Sequence, residues 1–375
     1  MRPFHPLVRM LSLVLPMTIA GTDIAAQTQP PTAAEAERRE AGGRGPGQRA
    51  PVARIGDQTI PFPVGDRMLR LPVFADGDIG GGPAVQTAVI VLHGTLRNAD
   101  TYLDGMVDAV RAAAVPEPTL VIAPQFLAPP DAAADAGGHP LPPDLPLWSL
   151  DGWKEGAGAV APAGLDPAAA SSFAALDAVL RHLADRARFP ALRRVVVAGH
   201  SAGGQVLARY AAASRGDADL GAAGVAVRRV VANPSSYLYF DRRRPRAEGE
   251  GFAEPATDCA GFDRYKYGLE RPVAYLAGQA PADLVRRFLA RDVRWLVGGE
   301  DRDPRHRFLD RTCAAGLQGP HRMGRGQAYF AYLQLLAEPA PLAHRLAVVP
   351  GVGHDNRAMF GSAAGRAALF GERGR

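Results

Sequence analysis

From Ile55 onward, short apolar runs alternate with longer stretches of helical spacing. "TIPFPV" and "RMLRLPVF" read as an opening pair of strands, and "TAVIVLHG", a continuous β-branched run, as a buried strand. "TYLDGMVDAVRAAA" has helical spacing, and "TLVIAPQF" returns to strand. "SSFAALDAVLRHLADRA" reads as a helix capped by Ser171 or Ser172; strand "RRVVVAG" and helix "AGGQVLARYAAAS" follow. Three further apolar runs, "VRRVVANP", "VRWLVGGED" and "RLAVVPGVGH", end in polar or glycine-rich turns. Strand and helix taking turns predicts one α/β domain over residues 55–375, a mostly parallel sheet with helices on both faces. Two stretches break the pattern, 128–166 and 235–290. They are expected as insertions over the strand ends, lids or binding loops, because loops at strand C-termini surround the ligand crevice of such sheets. Trp148, Trp153, Tyr237, Tyr239, Tyr265 and Tyr267 within them either hold the insertions down or touch substrate.

With 47% apolar and 22% charged residues, the 375-residue chain can bury a large core, which excludes disorder of the whole. Its formal net charge is +5, but the only lysines are Lys154 and Lys266 and the arginines are spread among aspartates. Nucleic acid is therefore not an expected partner, since phosphate binding needs a concentrated positive face; the run Arg242 to Arg244 with Arg246 is expected as a solvated loop. At the N-terminus, Arg2 and Arg9 precede the apolar run Met10 to Ala20, and "IAA" offers cleavage after Ala26. Residues 1–26 thus read as a signal peptide, and a secreted or periplasmic location follows. The run is shorter than the roughly 20 residues that span a bilayer, and Pro16 interrupts it, so no stable membrane insertion is expected. Residues 27–54, polar and rich in Pro, Ala and Gly, read as a flexible tail. Export predicts that Cys259 and Cys313 are joined as a disulfide; two buried free thiols are the alternative.

The chemistry is concentrated where one apolar run stops. Gly199-His200-Ser201-Ala202-Gly203 matches G-x-S-x-G between a predicted strand and a predicted helix, the context of a nucleophile elbow. Small residues flank the serine because the turn is tight, and the following helix start places backbone N–H groups beside the reacting centre. A serine hydroxyl is a weak nucleophile and needs a base, and the base needs an acid to orient it. His354 lies directly beyond the last strand and is the predicted base. Among the acids after "VRWLVGG", Asp301 is the predicted partner, ahead of Asp303 and Glu300. His182, His306, His321 and His344 are read as exposed or structural. The oxyanion hole is assigned to the backbone N–H groups of Thr95 and Ala202, with Leu96 as fallback; His93 is read as a structural tie. Arg97 and Asn98 either cap the next helix or line the pocket. Asn233 and Tyr237 are expected to face the pocket, the alternative for Asn233 being a turn before Pro234.

The set "LHGTLRNA", "AGHSAGGQ", "GGEDRDP" and "PGVGHD" resembles the α/β-hydrolase superfamily over roughly Ile55 to Gly371. The resemblance implies an eight-stranded, mostly parallel sheet and cofactor-free chemistry through an acyl-serine. It is strongest to exported bacterial esterase-like members, including polyester depolymerases and feruloyl esterases. It departs from lipases in having Thr95 and Leu96, not a glycine run, after His93-Gly94. The expected function is hydrolysis of small-molecule or polymeric carboxylic esters. A peptidase or acyltransferase on the same triad and a non-catalytic binding module are the alternatives. No metal is expected, since no His, Cys, Asp and Glu cluster has ligand spacing, and no dinucleotide cofactor, since no G-x-G-x-x-G follows the first strand.

Overall fold

The apolar runs become eight strands of one sheet: β1 (Gln58–Val64), β2 (Arg67–Ala75), β3 (Thr87–Leu92), β4 (Thr119–Pro124), β5 (Arg194–His200), β6 (Ala226–Ala232), β7 (Asp292–Gly298) and β8 (Arg345–Val349). They are seen in a computed structural model that describes residues 46–371 apart from 116, 134–139 and 247–250. The expected signal peptide, and the expected tail up to residue 45, lie outside the described residues. The strands lie in the order β1-β2-β4-β3-β5-β6-β7-β8. β2 runs antiparallel to β1 and β4, and every other neighbouring pair is parallel. β1 tolerates Pro61 and Pro63 because it is an edge strand, where a missing N–H breaks no ladder.

Strand periodicity divides the core in two. Ala88, Ile90 and Leu92 of β3 join one cluster while Val89 and Val91 join the other, as alternating side chains must. The first cluster is covered by α2 (Ser172–Ala184), α3 (Ala202–Ala213), α4 (Asp217–Ala222), α5 (Pro281–Ala290) and α6 (Arg322–Ala337). The second is covered by α1 (Ala99–Ala113), α7 (Asn356–Gly361) and α8 (Ala363–Phe370). Of the two serines proposed as cap of α2, Ser171 does it, its Oγ accepting from Phe173 N at 3.0 Å.

The register levels the strand ends. Leu92 pairs with Gly199, His200 with Ala232, Ala232 with Leu296, and Gly298 with Val349. The chain therefore leaves β3, β5, β6, β7 and β8 along one rim, where an open α/β sheet assembles its site. The first insertion is folded down by Trp148 and Trp153, both fully buried with ring centroids 5.3 and 5.5 Å from Phe126. The second carries a short ribbon, Arg244–Pro245 against Phe252–Ala253, and a disulfide joins its Cys259 to Cys313 beyond β7.

Two expectations need correction. Arg244 does not belong to a solvated loop: it is buried, pairs with Asp263 at 2.7 Å and lies over the Tyr239 ring at 4.5 Å. An arginine is accommodated inside when a carboxylate and aromatic faces replace its water. Nor is the end of the expected tail loose. Arg97 donates to the carbonyls of Gln48 and Ala50 at 2.8 Å each, and Val52 N donates to Asp131 at 2.9 Å. Low hydrophobicity concealed this anchorage because it is made by backbone polar groups, which every residue carries.

Candidate active site

At the end of β5 the backbone turns sharply: Ser201 has φ 58° and ψ −116°, a conformation that costs a non-glycine residue about 1–3 kcal/mol. The flanking glycines make the turn possible. A Cβ on Gly199 would meet the carbonyl carbon of Gly203 at 2.6 Å, and one on Gly203 the carbonyl oxygen of His93 at 2.8 Å. The same close approach sets the start of α3 against the loop after β3. Ser201 is 7% exposed, at the rim and not in the interior of the sheet.

The loops after β5, β7 and β8 converge on it. His354 Nε2 is 2.9 Å from Ser201 Oγ, and its Nδ1 is 2.7 Å from Asp301 Oδ2. An ionised carboxylate only accepts, so Nδ1 carries the proton and Nε2 is the acceptor for the serine hydroxyl. Asp301 is 3% exposed, and its second oxygen accepts from Arg322 Nη1 at 3.3 Å. Asp303 instead caps its own turn, accepting from Arg305 N at 2.8 Å, and Glu300 is exposed. Of the three acids, Asp301 is the one brought to the imidazole. Burial works against its ionisation, but the hydrogen bond to His354 and the charge of Arg322 outweigh it and hold the carboxyl below its usual range. Burial lowers the basicity of His354, and the bond to Asp301 only partly opposes that.

The loop after β3 closes a turn, with Arg97 N donating to Gly94 O at 3.1 Å. Thr95 and Leu96 lie at its tip, and among the described residues no protein acceptor takes the backbone N–H of Thr95, Leu96 or Ala202. His93 ties the loop down: Phe126 N donates to its Nε2 at 3.0 Å and its Nδ1 donates to Gly94 O at 2.9 Å, which fixes a neutral tautomer. Its burial pushes the imidazole down to about 4. Arg97 neither caps α1 nor lines an open pocket; its guanidinium is buried in a two-pronged pair with Asp131 at 2.7 and 2.9 Å. Thr95 Oγ1 accepts from Gln48 Nε2, so the anchored tail reaches the same loop.

Asn233 and Tyr237, expected at the pocket, are fully buried. Asn233 adopts φ 45°, and its amide accepts from Gly298 N at 2.8 Å and donates to Gly353 O at 3.2 Å. It staples the ends of β6 and β7 to the residue before His354. Tyr237 stacks on Tyr329 with centroids 4.5 Å apart, and its backbone is bracketed by Gln318. Sequence reasoning missed Arg322 and the nearness of His306 to His354, whose ring centroids lie 5.1 Å apart. No spacing signal was available for either, because they reach the site by a loop doubling back.

No family model matches the chain, and no curated protein matches it. Among solved structures it is similar to a poly(3-hydroxybutyrate) depolymerase from Bordetella parapertussis, at 25% identity and a TM-score of 0.55, covering 84% of this chain and 90% of that one. It is also similar in fold to poly(aspartic acid) hydrolase-1 from Sphingomonas sp. KT-1, at 22% identity and a TM-score of 0.50, covering 82% and 96%.

Proposed function

From the α/β-hydrolase fold that this chain has, we propose a serine hydrolase that cleaves carboxylic esters through an acyl-serine at Ser201. One observation carries the reading: hydroxyl, imidazole and carboxylate stand in an unbroken relay, at 2.9 and 2.7 Å, on three loops of one rim. As Ser201 Oγ attacks the ester carbonyl carbon, its proton passes to His354 Nε2, and Asp301 stabilises the imidazolium without taking the proton. The carbonyl oxygen becomes an oxyanion, for which the N–H groups of Ala202 and Thr95 are the donors. His354 then protonates the departing alcohol, and a water activated by the same imidazole releases the acid and restores the hydroxyl.

The Bordetella relative is named for poly(3-hydroxybutyrate), a polymer of carboxylic esters, which supports an ester, small or polymeric, as substrate here. The catalytic domain in this reading is residues 55–375, with insertions at 128–166 and 235–290 bordering the cleft. A secreted or periplasmic location is part of it, supported by the Cys259–Cys313 disulfide. A fluorophosphonate probe should label the wild-type chain and not Ser201→Ala, and a panel of esters should be turned over in proportion to that labelling. Equal labelling of the two proteins would overturn the assignment. Amides and alcohol acceptors run beside the esters separate this activity from a peptidase or acyltransferase.

A further inference from the structure

Behind the relay lies a second layer. Arg322, the first residue of α6, is fully buried, and its Nη1 lies 3.3 Å from Asp301 Oδ1 and 3.2 Å from His306 Nδ1. Arginine–carboxylate pairs are frequently bidentate, with two parallel bonds from the guanidinium fork. Here Nε and Nη2 have no partner among the described residues, and a single nitrogen is divided between two acceptors. Leaving buried donors unmade is costly, so this arrangement calls for a role.

The donor directions decide the state of His306. A guanidinium donates and never accepts, so Nδ1 of His306 is the acceptor. The backbone N–H of Phe308 points at the same nitrogen from 3.3 Å. A proton on Nδ1 would forfeit both bonds and face a fixed positive charge, so the ring is neutral and its proton sits on Nε2. That ring meets His354 edge-on, at 5.1 Å and 64°.

We propose that Arg322 is a positioning residue: one terminal nitrogen aims Asp301 at His354 and holds His306 as a neutral imidazole against the same catalytic ring. The proposal rests on the relay reading above. Its consequence is that the cluster carries a single mobile proton. His354 becomes cationic during acylation, and a second imidazolium beside it would oppose that step; the arginine prevents it, while its own charge is matched by Asp301. The charged and titratable groups around His306 are His354, Arg322, Asp301, Asp303 and Arg307. Those around His354 are Asp301, Arg322, His306 and, from β5, His200, whose ring centroid is 4.6 Å away and which burial keeps neutral. Tyr237 faces Arg322 from the core.

The test combines imidazole NMR titration of the full chain with kinetics on p-nitrophenyl acetate. In Arg322→Met, kcat should fall by about 10- to 100-fold with KM little changed, the cost of a misaimed catalytic group. His306 and His354 should both titrate at higher pH, and the acid limb of kcat/KM should move up with them. Arg322→Lys, which keeps the charge, should leave that limb near its wild-type position. His306 is on a partly exposed loop, so its variants test the proposal even if Arg322→Met does not fold. His306→Ala should lower kcat, and His306→Asn, whose Oδ1 replaces the accepting nitrogen, should restore most of it. Lost activity in Arg322→Met with unmoved titrations, or a wild-type His306 protonated on Nδ1 at neutral pH, would overturn the proposal. If the wild type lacks Ser201-dependent turnover, the ester reading fails instead, and the titrations alone decide whether Arg322 governs the two imidazoles.

Discussion

A serine becomes reactive through its neighbours, and here the neighbours are set by burial as much as by charge. His354 is withdrawn from water, and its basicity falls below the ordinary imidazole value of 6.5 despite its bond to Asp301. The base must be unprotonated to accept from Ser201, so activity is present above that pKa and lost as pH falls through it. Loss on acidification should therefore be half complete below pH 6.5, which a kcat/KM profile on a stable ester measures; a midpoint above 6.5 would contradict the burial argument. Asp301, held below its own ordinary range, stays ionised throughout and adds no second step in that window. Ser201, His354 and the short acidic stretch from which the acid comes were legible in the sequence because each lies just beyond an apolar run, where strand geometry fixes the exit point. Arg322 and His306 were not, because what brings them together is the path of residues 299–321, and no periodicity encodes that path.

At the scale of elements, the strands were readable and the insertions were not. Runs such as "TAVIVL" are buried along their whole length, and their shortness and β-branched content favour a strand over a buried helix segment. Asn233 shows what pattern cannot supply: its place just beyond β6 suggested a pocket wall, but its amide joins two strand ends to the turn before His354. The second insertion is tied to the segment beyond β7 at several points, a hydrogen bond and a disulfide among them. Tyr267 donates to Asp310 at 2.8 Å, and the disulfide links Cys259 to Cys313 across a separation of 54 residues. Closing a loop of that length restricts the unfolded chain by up to about 4 kcal/mol. The double variant Cys259→Ala/Cys313→Ala should thus unfold at a clearly lower urea concentration than the oxidised wild type. An unchanged midpoint would mean that the bridge stabilises nothing.

For the molecule as a whole, interior imidazoles couple stability to pH, His93 and His344 among them. His93 and His344 are buried, each pushed down to about 4 chiefly by desolvation. In the unfolded chain both take up protons near 6.5, so between about 6.5 and about 4 the unfolded state binds more protons than the native one. Their contribution is complete above 6.5 and is lost as pH falls toward 4. Urea midpoints should decline across that window, and less steeply in His344→Gln, which keeps a donor toward Phe288 O and an acceptor toward Trp295 without a titrating ring. Equal slopes would remove His344 from the account. The sequence by itself determined the order of strands and helices, the elbow and the places where base and acid leave the sheet, because these depend on local periodicity and on turn sterics. Only the tertiary structure decided which acid meets the imidazole, which polar residues are interior staples, and that a buried arginine joins the acid to a second histidine. Those outcomes depend on contacts between segments far apart in the chain, and burial, which sets their charge states, exists only once the segments have packed.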